Sequence, residues 1–518
     1  MTVAELLSGI APAVPPALAA REVRGLALDS RSVQSGDLFF ALPGQRTGRA
    51  GGGAFAREAL SRGALAVVGE AHALAASGAE SSAIVVPQAR RALALAAARF
   101  HGHPDRRLAL LGVTGTNGKT TTALLLAAIV EAAGEKPGFI GTLGARIGND
   151  WRPGGFTTPE APTLGALLRE MVEAGVQRCA MEVSSHALAQ DRVAGLAFAA
   201  AGFTHLTRDH LDFHGDLESY FAAKRRLFTD LLRPGAPAVI NGDDAHGAQL
   251  AIELGALGRT VLRFGRGASA DLQIRGEQLS LAGSRFTLET AQGSLSLASP
   301  LLGAHNVENL ALAAGMALSV GLPHAAIERG LAALASVPGR LERVVVPGHA
   351  EHPGLSDDLP LAFVDYAHTD DALRRVLAAL RSLGAQHERR LLVVFGCGGD
   401  RDPGKRSLMG LAAGQGADVA VATSDNPRGE DPLAILAEVV VGLRQAGRSE
   451  ITAEQAGGGF LVEPDRRTAI ELAVRLAGPR DVLLVAGKGH ETTQTIGSEQ
   501  LPFDDRVELR AALQRRAA

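Results

Sequence analysis

Aromatic side chains are scarce in this 518-residue chain: 17 Phe, two Tyr and one Trp make up 4% of it. Hydrophobic residues still reach 46%, so its cores must be built from Ala, Leu and Val. Cysteine is nearly absent. Cys179 and Cys397 form no CxxC pair and supply no disulfide framework, which fits a reducing compartment. An excess of charge is also lacking. The formal net charge is -3, which gives no reason to expect a nucleic-acid or anionic-membrane partner. No apolar run approaches about 18 residues, so a transmembrane helix is not expected. Residues 2–20 are apolar and end in ALAA, as a signal peptide might. However, no Lys or Arg precedes Arg21, Glu5 interrupts the start, and Pro12, Pro15 and Pro16 break any continuous apolar helix. The segment reads as the first element of a folded domain.

The length predicts about three domains at roughly 150 residues each. Residues 1–99 alternate short apolar runs with helical stretches. Ala64–Val68 and Ile84–Val86 read as buried strands, and 54–62 and 88–100 as helices, giving a small α/β domain. A second unit, 100–337, carries strand signals at Leu108–Val113, Cys179–Val183, Ala199–Phe203 and Ala238–Ile240, with helices between them. That order implies a parallel sheet. From 272 to 298 the apolar period drops to two (Leu279/Leu281, Phe286/Leu288, Leu295/Leu297), which predicts antiparallel hairpins added to the sheet. A helix is expected over Val307–Val320. The third unit, 338–518, alternates again, with strands at Leu361–Val364, Leu391–Phe395, Val419–Ala422 and Val482–Val485. It is expected to be Rossmann-like and doubly wound, with ligands at the carboxyl ends of its strands. The Pro- and Gly-rich stretch 346–360 reads as a loop.

The most informative segment is GVTGTNGKTTT, Gly112–Thr122. It follows a strand and opens a helix. Small residues let backbone N–H groups approach phosphate oxygens, and the helix N-terminus adds partial positive charge. The cradle comprises Gly115, Thr116, Asn117, Gly118, Lys119, Thr120 and Thr121. Lys119 can reach the β- and γ-phosphates of ATP, and the Thr120 hydroxyl can meet Mg²⁺. Val113 stands where the strict P-loop pattern has its first Gly, so the usable spacing is the shorter Gly115-x-x-Gly118-Lys119-Thr120.

This shortened loop resembles that of the Mur ligases and folylpolyglutamate synthetases. Alone it does not choose among them, nor does it exclude a non-catalytic nucleotide-binding relative. EVSSH (182–186), TRDHLDFHG (207–215) and AAKRRLF (222–228) strengthen the resemblance. Glu182, at the end of a strand, offers an oxygen suited to a hard cation. The resemblance implies a nitrogen ligand in His210. It also implies that Lys224 is carbamylated and helps hold a second Mg²⁺, so the catalytic set is Lys119, Glu182, His210 and Lys224. A carbamate requires a neutral amine, hence an environment that depresses the lysine pKa.

The resemblance extends over nearly the whole chain. LDSR points to Leu28 and Ser30 as contacts of a uridine-nucleotide precursor. Thr157, Thr158, Ser184, Gln190 and Arg192 match positions that hold its muramoyl-peptide, and an Arg can clamp a carboxylate bidentately. The family's Asp-Gly-His-x-Phe is replaced by Gly48–Gly53 before Phe55, and its frequent Asn by Phe156. Asn309 is the implied adenine contact, and Arg340 a nucleotide contact from a hinge near 335–345. In the third unit, Arg401, Asp425, Asn426, Pro427, Arg428, Gly487 and Glu491 match an amino-acid pocket. DNPR is the form that takes meso-diaminopimelate, whose far end carries a carboxylate as well as an ammonium. The usual HTPD reads His368-Thr369-Asp370-Asp371, with the Pro missing from what is expected to be an exposed turn. The implied protein is a monomeric cytoplasmic ligase with ATP and Mg²⁺, acting on small molecules through an acyl phosphate.

Overall fold

The structure, a computed structural model, describes residues 1–44, 51–75, 80–347, 359–384, 389–454 and 457–517. The Gly48–Gly53 replacement falls partly, and the 346–360 loop largely, outside these residues.

Among the described residues there are three main sheets. The first is a four-stranded parallel sheet in the order Gly25–Ala27, Asp37–Ala41, Ala66–Gly69, Ala83–Val85. Leu38, Phe40, Val68 and Ile84 pack from its strands against Leu93 of the helix Ala89–Phe100. The apolar N-terminal segment is part of this core, with Val3, Leu6 and Leu7 buried.

The second sheet has eleven strands and is mixed. Its parallel centre runs Val261–Gly265, Ala238–Asn241, Ala200–Phe203, Ala109–Thr114, Arg178–Glu182, Pro137–Gly141. One flank continues through Leu272–Ser280, Gly283–Thr290 and Gly293–Ser299, the expected hairpins. The other continues antiparallel through Gly144–Ile147 and Asp150–Arg152, strands that residue pattern did not indicate. Helices Lys119–Ala132 and Ala304–Ser319 cover one face. The first is apolar nearly all round because His324–Ala333 packs on its outer side. Each large aliphatic side chain buried this way contributes about 1.5–3 kcal/mol, which offsets the shortage of aromatics.

The third sheet has six strands in the order Glu342–Val344, Leu361–Asp365, Val482–Ala486, Leu391–Phe395, Val419–Ala422, Gly459–Val462. All but the first are parallel. A separate hairpin, Thr493–Ile496 with Glu499–Pro502, follows. No helix among the described residues is long and apolar enough to cross a membrane.

Candidate active site

The strand Ala109–Thr114 lies in the middle of the parallel strands, and the loop after it turns back over the sheet edge. Gly115 (φ +140°) and Gly118 (φ +86°) adopt conformations closed to other residues. A Cβ on Gly118 would also lie 2.2 Å from Asn309 Oδ1. The loop opens into a cleft of about 510 Å³. Lys119, Thr120, Glu182, His210 and Lys224 line one side of it, with Arg340, Tyr366, His368 and Arg401 opposite. Segments far apart in sequence thus meet where the second and third sheets face each other.

Glu182 ends its strand and is 1% exposed. Its Oε2 accepts from Thr120 Oγ1 at 2.9 Å and from Thr142 Oγ1 at 3.2 Å, and Oε1 accepts from the Thr142 N–H at 2.8 Å. Thr142 escaped notice in the sequence because it belongs to no motif. Among the described residues, no three His, Cys, Asp or Glu side chains form a ready-made metal cage. Glu182 and Thr120 do offer hard oxygens beside a phosphate cradle. That donor set suits Mg²⁺, which is commonly held by one or two carboxylates plus phosphate oxygens and water.

Lys119 Nζ donates to the carbonyls of Gly115 and Thr116 at 2.9 and 2.8 Å. Lys224 is buried in the helix Leu217–Thr229, donates to the same Gly115 carbonyl at 2.8 Å, and sits 4.3 Å from the centre of the Tyr220 ring. Burial, followed by the charge of Lys119, pushes its pKa well below that of an ordinary lysine. This is the environment carbamylation requires. His210 has φ +55° and lies 3.3 Å from Asp209. Burial would raise the Asp209 pKa, but His210, His368, Lys405 and Lys119 hold it down at about 2.

Thr157 and Thr158 line the same cleft. Thr158 Oγ1 donates to the Glu182 carbonyl at 2.8 Å and accepts from the Ser184 N–H at 3.0 Å. Arg192 is already tied down. Its Nη1 donates to the Thr158 carbonyl (2.9 Å), and its Nε and Nη2 to Gln190 (3.1 and 2.7 Å). Nε also lies 3.0 Å from Glu160, and the exposed Phe156 ring covers the guanidinium. Leu28 and Ser30 lie in the first sheet's unit and do not line the cleft. Ser30 Oγ donates to Glu58 at 2.8 Å.

Asn309 and Thr121 line a smaller neighbouring cavity of about 70 Å³, together with Arg340, Ala367 and Arg375. Arg340 stacks 4.4 Å from the centre of the Tyr366 ring and extends to 3.5 Å from Thr120 Oγ1. One expectation needs correction here. The segment His368–Asp371 is not an exposed turn: Thr369 and Asp370 are 1% and 8% exposed, because the chain enters the helix Asp370–Gly384 directly against the cavity wall.

On the third sheet, the loops carrying Arg401, Asp425–Arg428 and Gly487–Glu491 converge at the carboxyl ends of three parallel strands. Arg428 has φ +51°. The hairpin holds it there: the Arg428 N–H donates to the Thr495 carbonyl (3.1 Å), and the Gly497 N–H to the Arg428 carbonyl (2.7 Å). Gln494 Nε2 adds a bond to the Asp425 carbonyl at 2.8 Å. Arg428 Nη1 donates to the Gly399 carbonyl at 2.8 Å, which brings the first two loops together. Beneath them Arg466, fully buried, pairs with Asp505 at 2.7 Å and donates to the carbonyls of Ala486 and Ser424.

A phosphate cradle on one sheet, facing a basic pocket on another, suits an enzyme that uses a nucleotide to join two substrates. Three family models match the chain: "Mur ligase family, catalytic domain" at 22–101, "Mur ligase middle domain" at 113–317, and "Mur ligase, glutamate ligase domain" at 353–489. The UDP-N-acetylmuramoyl-L-alanyl-D-glutamate–2,6-diaminopimelate ligases of Solibacter usitatus and Geobacter metallireducens are 44% and 42% identical to it. Each match covers 99% of this chain and 98% of the relative. A solved structure of a ligase with that same name is 36% identical, with a TM-score of 0.67 over 100% of this chain and 99% of the other. A Mycobacterium tuberculosis folylpolyglutamate synthase complexed with ADP shares the fold at 19% identity and a TM-score of 0.61, over 82% of this chain and 94% of its own. The chain belongs to the Mur ligase family, whose members are ATP-dependent amide ligases.

Proposed function

We propose that this protein joins meso-diaminopimelate to UDP-N-acetylmuramoyl-L-alanyl-D-glutamate, consuming ATP, in the synthesis of peptidoglycan precursors. The observation that carries this reading is the single cleft in which Lys119, Thr120 and Glu182 face the third unit's Arg401, with the Asp425–Arg428 loop beside it. The names of relatives 42–45% identical over almost the full length support the same substrates.

In this reading residues 1–99 hold the uridine end of the precursor, with Leu28 and Ser30 near it. Residues 100–337 bind ATP, and 338–518 the amino acid. The cradle Gly115–Thr121 surrounds the phosphates, Asn309 meets the adenine, and Arg340 reaches in from the hinge. Thr157, Thr158, Ser184, Gln190 and Arg192 orient the muramoyl dipeptide. Thr120 and Glu182 would hold one Mg²⁺, and His210 and a carbamylated Lys224 would hold a second. Bound Mg²⁺ offsets the repulsion between a carboxylate and the triphosphate. The precursor carboxylate attacks the γ-phosphorus, ADP leaves, and an acyl phosphate remains. The amine of diaminopimelate then attacks the acyl carbon and expels phosphate, forming the amide. Arg401, Asn426 and Arg428 bind the far carboxylate of diaminopimelate, and Glu491 its ammonium. The lysine side chain lacks that carboxylate and would leave Arg428 unmatched, so the site rejects it. The enzyme works as a monomer in the cytoplasm.

The test is phosphate release from ATP with the muramoyl dipeptide and either meso-diaminopimelate or lysine. Turnover with diaminopimelate alone is expected, and it should vanish in Lys119→Ala. Turnover with lysine but not diaminopimelate sinks the specificity. No peptide bond with either sinks the whole reading.

A further inference from the structure

Lys488 is 0% exposed. It lies in the third unit, away from the phosphate loop, and no step of the reaction described above uses it. An ammonium stripped of water is costly unless charges and acceptors surround it. Here Nζ donates to Asn426 Oδ1 at 3.1 Å and to Glu491 Oε2 at 3.0 Å, and lies 3.9 Å from Asp425 Oδ1. Asp425 Oδ1 is itself buried with no hydrogen-bond partner.

The consequence lies in what these bonds do to Asn426. Its Oδ1 accepts from two donors, Lys488 Nζ and the Thr495 N–H at 2.9 Å. Its Nδ2 donates to Glu491 Oε2 at 2.9 Å. Two donors on one end and a carboxylate on the other allow only one orientation of the amide. The second N–H of Nδ2 is thereby left to a ligand, so Asn426 presents a donor and reads a carboxylate. Glu491 is divided in the same way. Oε2 is taken by Lys488 and Asn426, which leaves Oε1 to accept from an ammonium.

We propose that Lys488 is a specificity-determining positioning residue of the amino-acid pocket. It acts through Asn426 and Glu491, fixing one donor and one acceptor toward the zwitterionic far end of the substrate. Without it the Asn426 oxygen keeps only the Thr495 N–H as a donor, so the amide is held less firmly, and the two pocket carboxylates lose their internal counter-charge. This rests on the diaminopimelate reading above.

The experiment is steady-state kinetics of Lys488→Met, Lys488→Gln, Asn426→Ala and the double variant Lys488→Met/Asn426→Ala, with wild type alongside. Loss of a charged hydrogen bond should raise the KM for meso-diaminopimelate about tenfold or more in Lys488→Met. KM for ATP and for the muramoyl dipeptide should stay put. Lys488→Gln keeps a donor and should recover part of the loss. Because Lys488 works in part through Asn426, removing it from the Asn426→Ala background should cost less than removing it from wild type, the remainder being its hold on Glu491. An unchanged diaminopimelate KM, additive losses, or a rise in all three KM values together overturns the proposal. If Lys488→Met fails to fold, Lys488→Gln takes its place in the cycle with the same outcomes. Wild type that turns over diaminopimelate beside an unaffected variant sinks only the role of Lys488. Wild type with no such turnover takes the substrate reading down as well.

Discussion

Lys119 and Lys224 share one acceptor: each donates its Nζ to the carbonyl oxygen of Gly115, at 2.9 and 2.8 Å. Two buried ammonium groups on one oxygen repel each other, and burial, followed by the charge of Lys119, lowers the Lys224 pKa well below that of an ordinary lysine. A neutral amine can add to carbon dioxide, and the resulting carbamate turns a repulsive neighbour into an attractive one. Enzyme depleted of carbon dioxide and bicarbonate should therefore lose activity and regain it on adding bicarbonate. Lys224→Arg stays cationic and should lose turnover by on the order of a hundredfold, the scale for removing a preorganised electrostatic contact. Phosphate-release rates in purged and bicarbonate-supplemented buffer check this. Full activity in purged buffer, together with an active Lys224→Arg, would show that the carbamate plays no part.

The hairpin beside the amino-acid pocket gives a second expectation. Gln494 is 7% exposed, and its amide supports the Asp425 carbonyl just ahead of Arg428, which sits at φ +51°. A left-handed arginine is strained unless its surroundings impose the conformation. Gln494→Ala should raise the KM for diaminopimelate by about two- to tenfold, the range for one neutral hydrogen bond, with the KM for ATP unchanged. Equal shifts in both constants would mean that the hairpin supports the domain generally rather than this loop.

Beneath the same loops, Arg466 and Asp505 form an ion pair in which both side chains are fully buried. Removing one partner leaves an unpaired buried charge. Asp505→Ala should cost about 3–5 kcal/mol in the third unit. Arg466 also ties the Ser424 and Ala486 carbonyls together, so hydrogen exchange should speed up in 424–428 and 486–491 before the first two sheets respond. Uniform protection across all three sheets in that variant would contradict the assignment.

Much of this site could be read from residue order alone, because a phosphate loop is a local object: strand, small residues, helix, all within Ala109–Ala132. The apolar runs of the parallel strands and the period-two hairpins of 272–299 are equally local. What stayed hidden depends on packing between distant segments. Lys488 sits between Gly487 and Gly489, and only the convergence of three loops buries it. Thr142 reaches Glu182 across 40 residues. The hairpin strand Glu499–Pro502 is exposed throughout, so no apolar alternation marks it. The His368–Asp371 segment looked like an exposed turn because polar residues suggest one, yet tertiary contacts bury it. The bond from Ser30 Oγ to Glu58, across 28 residues, is likewise a contact that its motif does not indicate.

Acid should weaken the nucleotide end of the cleft through His305, which lines the small cavity beside Arg375. Burial first, and then the Arg375 charge, lowers its pKa to about 4, whereas an unfolded histidine titrates near about 6.5. The sign follows from which state takes up the proton. Above the unfolded value neither state is protonated, and His305 carries no penalty. Between about 6.5 and about 4 the unfolded chain binds a proton that the folded one refuses, so stability falls as pH falls. Asp365 works the opposite way: burial raises its pKa to about 6, so its contribution weakens as pH rises toward that value. The useful measurement is therefore the difference between wild type and His305→Gln, in which Asp365 cancels. The two Tm curves should run parallel above pH 7 and converge, or cross in favour of the variant, as pH drops toward 5. Curves that stay parallel down to pH 5 would mean that His305 takes up its proton in the folded state as readily as in the unfolded one.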